Sequence, residues 1–257
     1  MAVIKDVTGK VIVADPGMDL VSLAEEHRRD LAYADLKGAN LYGADLSGAM
    51  FDGADLSGAN LRDSMLDGSS MHGTDFHDAD LRGANMSLID AVGADMHAAD
   101  LRHAFLSRAS MSGLNLQDAD MRGCVLSHAT LDKSHLEHVR LDGARIVEAI
   151  LTGSSLRDAS LRDAELDITG LREAYLVGAD LTNANMPGVD LSHADLTCAT
   201  LRGANLQDTD LAFARLTGAN LADTDLSWAD NLDLALLPES ATAVRASDPA
   251  EPEAAGI

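Results

Sequence analysis

From Leu31 to Leu226 a large apolar residue returns at every fifth position, forty times in one frame with no insertion or deletion. It is Leu, Met, Phe or Ile at each step except Ala91. Two places before it, from Ala34 onward, stands a small residue, most often Ala and otherwise Ser, Thr or Cys. A period of five fits neither the 3.6 of an α-helix nor the 2 of an isolated strand. A short period held this long marks a chain of stacked repeats, in which each unit buries its apolar side against its neighbours. Composition agrees: 46% of residues are hydrophobic but only 3% aromatic, so the interior is narrow and filled by Ala and Leu.

Four small-slot positions break the rule, namely Ile89, Leu114, Val139 and Val189. Ile89 directly precedes the one small centre, Ala91, so that repeat exchanges volume within itself. Such compensation is expected if both side chains point into a dense core.

In "GADLSGAMFDGADLSGANLR", residues 43–62, the slot between small residue and centre holds Asp45, Asp55 and Asn60. This A(D/N)LXX pattern resembles the pentapeptide-repeat family, and the resemblance covers residues 31–230. It implies an all-β chain, a right-handed quadrilateral β-helix with four pentapeptides per square coil. Centres and small residues then face inward and the other three positions outward. Forty repeats make about ten coils, a rod of roughly 48 Å at ~4.8 Å per strand.

A coil of twenty makes residues twenty apart stack. One outward column then reads Arg62, Arg82, Arg102, Arg122, Asp142 and Arg162. Two places earlier run Asp80, Asp100, Asp120 and Arg140. The two columns change sign in the same coil, which sets Arg140 above Asp120 and Asp142 above Arg122. Opposite charges on adjacent strands are favourable.

Open coils expose unpaired edges, so both ends need covers. Residues 1–30 are expected to supply one. Residues 2–14 alternate as a hairpin around Thr8-Gly9, and 19–29 read as a helix with Asp19 or Ser22 as N-cap and a Ser22/Glu25 capping box. Leu20, Leu23, Ala24 and His27 share its inner face. The frame breaks after Asp230, and 231–245 is expected to be a C-terminal cap or dimer segment. Trp228 at the end of the rod, and Leu232, Leu234, Leu236 and Leu237 after it, seek cover on the last coil or on a second chain. Residues 246–257 have the composition of a disordered tail.

The chain carries 42 acidic against 19 basic residues, a formal charge of −23. That argues against direct binding of nucleic-acid phosphates and allows a basic protein surface as partner. Two cysteines, Cys124 and Cys198, give no metal-ligand spacing and fit a reducing compartment. No signal peptide and no apolar run of membrane-spanning length is read, so a cytoplasmic location is expected. No phosphate loop, nucleophile elbow or closed metal set emerges, and no cofactor is expected. His77, His97 and the "HLEH" run at 135–138 read as solvated histidines. Cys124 falls in an inward slot and Cys198 in an outward one. The chain is expected not to be an enzyme.

Acidity is the remaining lead. Residues 31–230 hold 31 acidic and 14 basic residues, and fifteen of the acids stand in the slot before the centre. Spread over the expected rod, the net charge is on the order of 60% of the linear charge density of DNA. Asp35, Asp55, Asp75 and Asp95 are expected to form one ladder, the candidate acidic interaction face. Met65, Phe105 and Val125, with Val147 nearby, are expected as outward apolar residues on one side. Resemblance to the gyrase-targeting quinolone-resistance members of the family implies a DNA-mimicking rod that binds DNA gyrase. The alternative is a scaffolding repeat protein for another protein partner.

Overall fold

The structure, a computed structural model, describes residues 2–239. Strands β1 (Ala2–Asp6) and β2 (Val11–Asp15) pair antiparallel, and helix α1 (Leu20–Glu26) follows. Asp6 builds the hairpin turn by accepting from Thr8 N–H at 2.9 Å and Lys10 N–H at 3.0 Å, while Gly9 takes φ +89°. The pair also meets the first repeat: Lys5 of β1 lies antiparallel to Asp35 of β3 (Ala34–Asp35). Strand order is β2-β1-β3.

Beyond β3 the repeats share the same two parts, one residue of parallel β-bridge and one tight turn, except that Asp225 makes no bridge. The bridges join residues twenty apart, from Asp35↔Asp55 to Asp210↔Asp230, as the column register requires. In the turn the small residue's N–H returns to the preceding centre's carbonyl, as from Ala39 to Leu36 at 2.9 Å. The residue two after each centre has positive φ at every position from Tyr33 to Asp223. Type II turns need positive φ at their third residue, which explains the recurring glycines. Non-glycine residues such as Leu88 (φ +60°) and Ile168 (φ +56°) accept the same conformation, an intrinsic penalty of about 1–2 kcal/mol each.

Centres and small residues fill the core along the whole repeat, including Ile89 with Ala91, Leu114, Val139 and Val189. Buried hydroxyls in the small slot are satisfied: Ser69 donates to Leu46 O at 3.0 Å and Thr74 to Phe51 O at 2.8 Å. Cys124 lies in this core, and burial pushes its thiol up to about 12.

At the N-terminal end α1 differs from its sequence reading in two respects, the first being that it stops at Glu26 and gives way to a 3-10 turn over Arg28–Asp30. Asp19 is the N-cap, accepting from Ser22 N–H at 2.8 Å. Glu25 does not close a capping box; its Oε1 accepts the N–H of Asp45 at 2.8 Å, a group with no strand beneath it. Arg28 completes the substitution, with Nε donating to Ser47 O at 3.0 Å and its carbonyl accepting Met50 N–H at 2.8 Å. Leu23 and Ala24 are fully buried and Leu20 partly so.

At the other end the frame slips by one residue. Asn231 enters the left-handed region (φ 55°), a single 3-10 turn spans Leu232–Leu234, and Leu236 bridges Arg215, twenty-one residues away. Ala235 fills the inward slot, Leu236 the outward one and Leu237 the centre. Leu232 and Leu237 are half-buried, whereas Leu234, Leu236 and Trp228 are exposed at 43%, 57% and 66%. Residues 240–245 of the expected cap segment and the 246–257 tail lie outside the described residues.

Candidate interaction surface

Each coil has four faces, named here by the slot before the centre. The first contains Asp35, the second Asn40, the third Asp45 and the fourth Met50, each followed by its bridged partners. On the first face Asp35, Asp55, Asp75 and Asp95 are bridged in succession. Each carboxylate also accepts the backbone N–H two residues on, from Lys37 at 3.4 Å, Ser57 at 2.9 Å, His77 at 2.9 Å and His97 at 3.0 Å. Burial alone would raise the Asp55 carboxyl, but hydrogen bonds from the Ser57 hydroxyl and backbone hold it below the usual range. The Asp75 hydrogen bond to Nδ1, 2.8 Å, raises the His77 imidazole.

The second face is organised differently. Arg82 donates from Nε and Nη2 to Asp80 at 2.7 and 2.5 Å, and Arg102 and Arg122 grip Asp100 and Asp120 in the same bidentate way. Each pair also touches the next coil: Arg82 Nε lies 3.5 Å from Asp100 and Arg102 Nε 3.8 Å from Asp120. Arg140 Nη1 lies 3.7 Å from Asp120, as the sign switch requires. Asp142 instead accepts from the Ser160 hydroxyl and the Arg162 N–H. Sequence reasoning missed the in-strand grip, although the triplets Asp80-Leu81-Arg82, Asp100-Leu101-Arg102 and Asp120-Met121-Arg122 display it.

Charge is therefore unevenly placed. Over residues 31–230 the first face holds nine acidic and three basic residues, the second eight and seven, and the third and fourth seven and two each. On the third face Met65, Leu88 and Phe105 are 44%, 60% and 49% exposed, with Asp67 and Arg108 beside them and Val125 and Val147 half-buried nearby. On the fourth face His72 sits between Asp52 and Asp90, 3.1 Å from each. The Asp52 hydrogen bond, aided by Asp90, raises its imidazole.

Among the described residues no cluster of His, Cys, Asp or Glu can hold a metal ion, and no helix is long and apolar enough to cross a membrane. His135 meets only Glu137, at 3.6 Å, and Cys198 is an exposed free thiol.

Comparison with known proteins fits this architecture. The pentapeptide-repeat model matches in eight copies, over residues 30–68, 51–87, 92–127, 122–158, 174–211 and 194–230. The chain belongs to the pentapeptide-repeat family. Members of that family form right-handed β-helices. Among solved pentapeptide-repeat structures, the chain is similar to HetL from the cyanobacterium Nostoc sp. strain PCC 7120, a protein involved in regulating heterocyst differentiation. Identity is 33%, with 80% of this chain and 85% of HetL covered and a TM-score of 0.52. Full-length QnrB1, a plasmid-mediated fluoroquinolone resistance protein, matches at 17% identity over 74% of this chain and 97% of its own, with a TM-score of 0.42. A pentapeptide-repeat protein of the Arabidopsis thaliana thylakoid lumen is 32% identical over 42% of this chain and 64% of its own, with a TM-score of 0.15. A search of curated protein sequences finds no match.

Proposed function

We propose that this pentapeptide-repeat chain is a non-enzymatic interaction rod that presents a polyanionic surface, acidic on three of its four faces, to a DNA-binding enzyme, with DNA gyrase as the partner to test. The observation that carries the reading is the segregation of charge. Seven of the fourteen basic residues of 31–230 lie on the second face, while the first keeps nine acids against three bases. Such a face suits a groove built to neutralise phosphates. In this reading residues 1–30 close the first of about ten coils, 31–230 are the rod, and the segment from 231 closes the last.

The test uses Asp35→Asn, Asp55→Asn, Asp75→Asn and Asp95→Asn together. Asn retains the side-chain oxygen that holds each turn, as Asn60 does toward Arg62 N–H at 3.2 Å, so only charge is removed. Wild-type protein is expected to alter gyrase supercoiling or protect it from a fluoroquinolone, and the variant to need about tenfold more protein for the same effect. A wild-type protein without effect on gyrase sinks the gyrase reading. The exposed Met65, Leu88 and Phe105 favour a second reading, a scaffold that docks a protein through the third face. In that case Phe105→Ser, and not the Asn variant, abolishes co-purification of the partner.

A further inference from the structure

Among the described residues, the last turn of the solenoid leaves backbone groups at the edge of its bridge ladder without partners. One coil below, Asn220 occupies both neighbouring groups: its carbonyl accepts Leu201 N–H at 2.8 Å and its N–H donates to Ala199 O at 2.9 Å. In the last turn the equivalent groups are the N–H of Leu221, Asp223 and Leu226 and the carbonyls of Ala219 and Thr224. None has a hydrogen-bond partner among the described residues. The ladder has also loosened here. No bridge joins Asn205 to Asp225, and Asp208 N–H reaches Trp228 O at 2.8 Å, one residue beyond the regular spacing that takes Gly188 to Gln207. Trp228 stands two residues past Leu226 with 66% of its surface exposed. A depression lined by Thr217, Gly218, Ala219, Leu237, Pro238 and Glu239 opens at the start of this edge.

We propose that this edge binds an extended, basic segment of a partner protein as an added β-strand. Unpaired N–H and C=O groups at the end of a ladder of β-bridges are a template for strand addition. Charge selects the occupant: residues 205–239 contain seven acidic residues and a single base, Arg215, and one further base, Arg202 of the coil below, pairs with Asp223 at 3.1 Å. A second copy of the same end brings an equal negative charge to the interface, whereas Lys and Arg side chains complement it. Trp228 adds an aromatic surface beside the edge that a cation can cover. The inference stands apart from the acidic ladder of the first face and from the identity of any enzyme bound there.

Trp228 is the only tryptophan in the chain, so its emission reports on this end alone. The test titrates full-length protein with a short synthetic peptide of alternating lysine and valine. Two controls accompany it: the same peptide N-methylated at alternate residues, and a glutamate–valine version. A saturable change in Trp228 emission is expected with the lysine peptide and none with the glutamate peptide. Affinity is expected to fall about tenfold or more on N-methylation, and again between about 50 and 200 mM salt. Asp225→Asn and Asp230→Asn combined are expected to weaken binding while leaving the melting temperature in place. The Asp225→Asn change retains the side-chain oxygen that accepts Ser227 N–H at 2.9 Å. Equal affinity for the N-methylated peptide overturns strand addition. A dimer that the peptide does not dissociate, seen by sedimentation, assigns the edge to a second copy. Slow hydrogen exchange at Leu221 and Leu226 in the free monomer assigns it to residues 240–257. Either result overturns the proposal.

Discussion

At Asp55 the same carboxylate oxygen accepts the backbone N–H of Ser57 at 2.9 Å and its hydroxyl at 2.6 Å. Across the repeats that oxygen fixes the start of a turn, and Asn205 supplies it to Gln207 N–H at 3.1 Å as readily as an aspartate does. The recurring acid is thus a turn device first, and charge is an added property of the copies that are Asp. His72 shows a different residue-scale effect, because its imidazole ties Asp52 to Asp90. Its folded pKa is raised, so its contribution is fully present below the ordinary value of about 6.5 and is lost as pH rises through the folded value. Half-exposed pairs of this kind contribute a few tenths of a kcal/mol to about 1 kcal/mol. His72→Gln is therefore expected to lower the melting temperature more at pH 6 than at pH 8.5. An equal loss at both pH values would show that the ring acts by packing alone.

Among the elements, the repeat was legible because its two inward positions differ in kind, one large and one small, and forty copies leave no other frame. The coil register was legible too, since the Asp120/Arg122 and Arg140/Asp142 switch makes sense only at twenty residues per turn. Helix α1 was readable as an amphipathic segment but its chemistry was not. Ser22 and Glu25 have capping-box spacing, yet Glu25 spends its carboxylate on Asp45, a partner twenty residues away that no local pattern reveals. The frame break after Asp230 was legible, but its resolution as a one-residue slip was hidden, because only the backbone shows that Ala235, Leu236 and Leu237 regain the frame. The Glu25 contact makes a specific prediction. Leaving the Asp45 N–H without an acceptor costs about 1–3 kcal/mol, confined to the first coil. Glu25→Ala is expected to speed hydrogen exchange at Asp45 and Met50 while amides near Leu126 keep their protection. Glu25→Gln, which retains an oxygen acceptor, is expected to behave nearly as wild type. If all amides lose protection together in Glu25→Ala, the coils unfold as one unit and the end contact matters to the whole rod.

Over the whole molecule, two electrostatic effects oppose each other. Net charge of −23 repels itself, with aspartates on the first face in successive coils and only Lys37 and histidines beside them. The Asp80–Arg82–Asp100–Arg102–Asp120–Arg122 series attracts along the second face. Their ranges differ. The ion pairs act at hydrogen-bond distance, where salt screens weakly, whereas repulsion between faces and between distant coils acts over a length comparable with the Debye length. That length is about 30 Å at 0.01 M salt and about 8 Å at 0.15 M. Added salt should therefore remove more repulsion than attraction. The melting temperature, followed by circular dichroism, is expected to rise by several degrees from about 0.01 to 0.15 M NaCl. Arg102→Gln removes one member of the series and makes the net charge more negative, so its destabilisation is expected to be largest at the low-salt end. A melting temperature that falls with salt would mean that the paired face, not the net charge, governs the stability of the rod, and the acidic faces would then be too weakly charged to imitate a nucleic acid.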